Sequence, residues 1–86
     1  EGYKTELYFL RDIEEREVDF LVSVDKKPWM AVEVKQSDKS PSKHLKYFGD
    51  KLNIPFRYQI VNIENIDIMQ NTIRIISVDK FLNGLI

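Results

Sequence analysis

The 86-residue chain contains no cysteine, only three glycines and three prolines, and a single histidine and tryptophan. Without cysteine there is no disulfide framework and no thiolate metal site. The scarcity of glycine and proline excludes a flexible linker or a collagen-like segment. Gly2, Gly49 and Gly84 stand isolated, so no glycine-rich loop is present to cradle a nucleotide phosphate. No apolar run approaches the ~20 residues a membrane helix needs. The start, Glu1-Gly2-Tyr3-Lys4, lacks the basic-then-apolar pattern of a signal peptide. These absences lead us to expect a cytoplasmic domain with no membrane partner. The missing initiator Met leads us to expect a piece of a longer polypeptide.

Charge is balanced overall, at −1, but unevenly placed. Residues 1–25 carry 3 basic and 8 acidic side chains (−5), residues 26–51 carry 7 and 3 (+4), and residues 52–86 carry 3 of each. The middle third is a basic island, which suits either an anionic partner or an ordinary solvated surface. Hydrophobic residues make up 43% of the chain, enough for one thin-cored domain and too many for a disordered tail.

Periodicity organises that domain. Residues 3–10 read as a strand, rich in aromatic residues, Thr and Leu. Val18, Phe20, Val22 and Val24 alternate with Asp19, Leu21, Ser23 and Asp25, the clearest period of two in the chain. Residues 29–36 form a second alternating strand, with Met30, Val32 and Val34 on one face and Trp29, Ala31, Glu33 and Lys35 on the other. Ser40 is expected to cap a helix over residues 41–52, with Pro41 in its first position and Leu45, Phe48 and Leu52 on its apolar stripe. Asn53 and Pro55 stop it. Gly49 within it costs about 1 kcal/mol relative to Ala unless close packing requires it. Residues 56–63 and 72–76 read as strands, and residues 64–71 lie between strand and loop. Ser77 is expected to cap a closing helix whose stripe is Val78, Phe81, Leu82 and Leu85.

The fold class is therefore α/β. Its mixed sheet has antiparallel first strands, a strand–helix–strand unit of parallel-crossover length over residues 29–63, and a C-terminal helix.

Asp19 is a charged residue inside an apolar strand, and Glu33 and Lys35 share a face of the next. A three-residue hairpin loop makes cross-strand partners sum to 52 or 54, which puts Asp19 opposite Glu33 or Lys35. It also aligns Val18, Phe20, Val22 and Val24 with Met30, Val32 and Val34 as an apolar, helix-covered face. A slip of one residue ruins both arrangements. Two carboxylates and a lysine suit a hydrated divalent cation such as Mg²⁺ or Mn²⁺, with the ammonium beside a phosphate or an attacking water. The same residues equally describe a cross-strand ion pair on a solvated hairpin. Lys39, Lys43 and Lys46 follow on the helix side and suit phosphate contacts or plain solvation. His44, Trp29 and Tyr47 read as surface, core or rim.

The run Glu17-Val18-Asp19-Phe20-Leu21-Val22, followed by Ala31-Val32-Glu33-Val34-Lys35-Gln36-Ser37, resembles the core of the PD-(D/E)xK, or restriction-endonuclease-like, superfamily. With Arg16, Pro28-Trp29 and Leu45-Lys46-Tyr47-Phe48, it is similar more closely to the uncharacterised C-terminal domain of prokaryotic AAA-type ATP-binding proteins. The resemblance implies a single nuclease-like domain over residues 1–86, C-terminal to an ATPase domain of the same polypeptide. It implies a magnesium-dependent nuclease acting on or docking to DNA, with Asp19 and Glu33 as metal ligands and Lys35 as the catalytic lysine. Gln36 takes a supporting position. Superfamily members often draw a further glutamate from a helix before the first strand; neither Glu1 nor Glu6 is assigned that role. The alternatives are an inactive binding module of the same fold and a purely structural domain.

Overall fold

A computed structural model describes residues 4–11, 17–36 and 40–84. The strands are β1 (Thr5–Arg11), β2 (Glu17–Val24), β3 (Lys27–Lys35), β4 (Phe56–Val61), β5 (Asp67–Gln70) and β6 (Ile73–Ser77). The helices are α1 (Lys43–Lys51), between β3 and β4, and α2 (Val78–Gly84), after β6. The strands form one sheet in the order β1-β2-β3-β4-β6-β5. β1, β2 and β3 pair antiparallel, β3–β4 and β4–β6 pair parallel, and β5 returns antiparallel to β6. The mixed α/β sheet expected from the periodicity is the one observed. The undecided segment holds β5, an edge strand tied to β6 through Asn71 and Thr72, both at positive φ (52° and 67°).

The β2–β3 hairpin reaches its expected register by an unexpected route. Its turn is two residues, Asp25 and Lys26, both in the left-handed region at φ 51° and 68°, as a primed hairpin turn requires. Asp25 is tied to the chain before β1: its Oδ1 accepts from the Lys4 amide at 3.0 Å, and its own amide donates to the Lys4 carbonyl at 2.8 Å. Next to the turn, Val24 faces Lys27 and Ser23 faces Pro28. After Trp29 the pairs become Val22–Met30, Leu21–Ala31 and Phe20–Val32. Trp29 is thus an extra residue on β3, a bulge that restores the even register a plain two-residue turn would have lost. Trp29 lines the same cavity as its neighbour Met30, so the strict alternation that groups it with Ala31, Glu33 and Lys35 fails at this position.

The two faces of the sheet are used differently from expectation. α1 lies on the face of Leu21, Ala31, Val61, Ile73 and Ile75, into which it inserts Leu45 and Phe48, with Ile54 behind it. Val32, Ile60 and Ile76 form a smaller cluster on the other face, with Met30, Tyr58 and Phe81 against it. The helix therefore covers the Ala31–Glu33 face and not the Val32–Val34 face. β6 adds Ile73 and Ile75 to the α1 side, whereas β4 gives it only Val61 and sends Tyr58 and Ile60 to the other face. Val18 also joins the α1 side, although it stands an odd number of positions, three, before Leu21. The β1–β2 register shifts between Tyr8–Leu21 and Leu10–Val18, so β2 carries an extra residue around Asp19 and Phe20.

Both helix caps differ from expectation. Ser42, not Ser40, caps α1: it is extended (φ −67°, ψ 128°), and its Oγ accepts from the Leu45 amide at 3.1 Å. Pro41 therefore precedes the cap. The helix ends with Leu52 donating to the Phe48 carbonyl, and with Asn53 at φ 54°, the left-handed step that stops a helix. Ser77 is the last residue of β6, where its Oγ accepts from the Ile66 amide at 2.7 Å and caps nothing. The stripe of α2 is largely unburied. Phe81 packs on Tyr58 with ring centroids 5.1 Å apart, Val78 and Leu82 stay exposed, and Leu85 lies outside the described residues.

Candidate functional site

Glu33 sits near the end of β3, under the N-terminus of α1, and is 9% exposed. A carboxylate so deeply placed needs partners for both oxygens. Its Oε1 accepts from the Ser42 hydroxyl at 2.5 Å, and its Oε2 lies 3.2 Å from the Lys35 Nζ. Lys35 reaches it because residues two apart on a strand share a face. Ser42 serves two roles at once, capping the helix and donating to Glu33.

Directly across β3–β4 from Glu33 is Gln59, fully buried. Its Oε1 accepts from the Ser42 amide at 2.7 Å, and its Nε2 donates to the Ser40 carbonyl at 2.8 Å. Glu33 and Gln59 thus hold the strand-to-helix connection through its backbone and its cap hydroxyl.

Asp19 joins this group from β2. Its Oδ2 accepts from the Val34 amide at 2.7 Å, so the carboxylate rests on the strand between Glu33 and Lys35. Continuing the Phe20–Val32 register by one residue brings Asp19 opposite Glu33. The β2–β3 pairing ends at Phe20–Val32, which leaves the Val34 amide for the carboxylate to take. Asp19, Glu33 and Lys35 are therefore brought together, as the even register requires. Among the described residues no third acidic or histidine group joins the two carboxylates.

Gln36, one residue beyond β3, is not part of this network. Its side chain is exposed, with its Oε1 3.5 Å from the Asn62 Nδ2. The buried glutamine of the site is Gln59. Lys35, Ser40, Pro41, Ser42, Lys43 and His44 line a cavity of about 300 Å³ beside the Glu33–Lys35 pair. Lys43 is exposed there. Lys46 turns away, 2.9 Å from Asp50. Lys39 lies outside the described residues. Arg57 holds the far end of α1. It donates to the Ile54 and Gly49 carbonyls, each at 2.9 Å, to Asp50 at 2.7 Å, and to the Thr72 hydroxyl at 3.0 Å. The Lys46 ammonium, and then the Arg57 guanidinium, hold the Asp50 carboxyl below its ordinary value.

A family model described as a domain of unknown function, DUF4143, matches residues 1–81. The chain belongs to the DUF4143 family. Comparison with curated proteins and with solved structures returns no match. The DUF4143 match covers the whole sheet and α1, so the Asp19–Glu33–Lys35 cluster lies within the family's extent. Sequence reading misses two members of that cluster's surroundings, Ser42 and Gln59. Ser42 carries a local signal, since it stands three residues before Leu45, the first apolar residue of the helix. Gln59 carries none: it meets Glu33, 26 positions earlier, only because β3 and β4 align in parallel. None of the helices in the described residues is long and apolar enough to cross a membrane.

Proposed function

We propose that this DUF4143 domain is a nuclease-like site of the PD-(D/E)xK type, carried by a prokaryotic AAA-type ATP-binding protein and acting on or docking to DNA. The carrying observation is the Asp19 carboxylate on the Val34 amide, which gathers Asp19, Glu33 and Lys35 from two strands. The donors suit a hard cation such as Mg²⁺ or Mn²⁺: they are carboxylate oxygens, and two carboxylates leave room for several waters. Asp19 keeps Oδ1 outside its hydrogen bond, and each carboxylate oxygen of Glu33 retains a further lone pair. Asp19 and Glu33 would hold the ion, which when bound neutralises phosphate charge and acidifies a coordinated water.

The chain's own groups supply the rest. The Lys35 ammonium, paired with Glu33, is placed to meet negative charge on a phosphate oxygen. Ser42 fixes the Glu33 rotamer from the helix cap. Lys43 and His44 line the adjoining cavity, where a phosphate of the backbone can be positioned. A second reading has its own support. Both Glu33 oxygens are engaged within the protein, which suits an inactive module that binds DNA without cutting it.

Mn²⁺ titration followed by amide NMR tests the proposal. Broadening should centre on Val34 and Lys35 and vanish in Asp19→Asn and Glu33→Gln. Parent-like broadening in both variants, or none in the parent, refutes the site. Duplex DNA binding at low salt should weaken with salt, and Lys43→Ala should reduce the log–log slope by about 0.9. Lys46→Ala should reduce it less, because Lys46 is turned away from the cavity and paired with Asp50. DNA binding without metal binding decides for the inactive module.

A further inference from the structure

On the sheet face opposite α1, a cavity of about 230 Å³ opens between the strands and α2. Its floor is Met30, Tyr58 and Ile76, and its helix wall is Phe81 and Lys80. Trp29 and Phe56 close one end, edge to face with ring centroids 5.4 Å apart. This wall exists because of the β3 bulge, which turns Trp29 onto the face of Met30. Bulges often re-aim a side chain beside a site. Trp29 is nevertheless 42% exposed, so the bulge does not serve to bury it.

The rim carries charge. Arg74 lines the cavity and is held by Asp67 through two hydrogen bonds of 2.8 Å, which fix its guanidinium plane. Lys80 is exposed and stands near enough to Asp67 to help Arg74 hold that carboxyl low. Two cations against one carboxylate leave one positive charge at the rim. At the remaining side stands Gly84, where an added Cβ would meet nothing within 4 Å, so the mouth is open. A cavity of ~150 Å³ lined by apolar side chains already takes benzene, so this one has room for a single ring with a short substituent.

We propose that this cavity is a binding site for a planar aromatic ring carrying one anionic group. The ring lies between Phe81 and the Trp29–Phe56 pair, and the anion faces Lys80 and Arg74. The site is on the other face of the sheet from Asp19, Glu33 and Lys35 and does not depend on their function.

The test uses 3-phenylpropionate as the probe, with 3-phenylpropanamide as its neutral isostere. Trp29, the only tryptophan, reports on binding through its own emission. The acid should produce a saturable change with a Kd on the order of 1 mM, typical of a ligand with so few atoms. The amide should bind about fivefold more weakly, and Lys80→Gln should impose the same loss on the acid alone. Gly84→Phe fills open space without touching the core and should abolish saturation, while amide NMR shows the fold intact. No saturable response in the parent overturns the site. Equal affinity for acid and amide overturns the anionic specificity, and undiminished binding in Gly84→Phe places the ligand elsewhere and overturns the assignment.

Discussion

Gly49 should resist replacement by alanine, although helix propensity favours the change. It lies inside α1, where exchanging Gly for Ala ordinarily gains about 1 kcal/mol. A Cβ at this position would stand 2.4 Å from Arg57 Nε and 2.6 Å from its Cδ, closer than any real contact. The Arg57 side chain is only 13% exposed and is held by the Ile54, Gly49, Asp50 and Thr72 acceptors. The arginine is flexible enough to move, so the clash itself is cheap. Moving it gives up those bonds. Hydrogen bonds from a charged donor contribute about 1.5–3 kcal/mol each when buried, and far less where the acceptor is half exposed, as Asp50 is. A total loss of about 2–3 kcal/mol against the gain of about 1 leaves Gly49→Ala destabilised by about 1–2 kcal/mol. In a domain of this size, that lowers Tm by about 5–15 °C. Thermal and urea unfolding followed by circular dichroism measure it directly. In an Arg57→Ala background the same substitution should instead stabilise, by about 1 kcal/mol, so the cycle should show strong coupling. If Gly49→Ala raises stability in the parent and adds to Arg57→Ala without coupling, the close approach does not constrain this position.

Ser42→Ala removes both the α1 cap and the donor to Glu33, and should cost about 2 kcal/mol in urea unfolding; Ser42→Thr should restore most of it. Asp50 is held low by Lys46 and then Arg57, and Asp67 by Arg74. Groups with depressed folded values stabilise above their unfolded value, so this contribution is complete above pH ~4 and lost as pH falls further. Carboxyl NMR titration should place both midpoints below the ordinary 3.8, and Lys46→Ala should raise that of Asp50. A midpoint for Asp50 at or above the ordinary value contradicts the assigned pairing.

The local pattern of residues determined much of this domain by itself. Alternation in β2 and β3, the Leu45–Phe48 spacing and the Asn53 stop are written in neighbouring residues. The meeting of Asp19 with Glu33 and Lys35 is also legible, because strand register has a period of two and only even pairings bring them together. The tertiary structure decided what neighbours cannot encode. α1 packs on the face that Ile73 and Ile75 of β6 and Val61 of β4 share with Ala31, a grouping made by residues far apart in the chain. Glu33 is buried on that same face. Gln59 enters the site only through parallel pairing across 26 residues. The two bulges, at Trp29 and near Asp19, reset the alternation that sequence periodicity assumes to be unbroken. A bulge is a feature of two strands together. One extra residue is recognisable only against its partner, so it turns Trp29 to the opposite face without leaving a mark in the sequence around it.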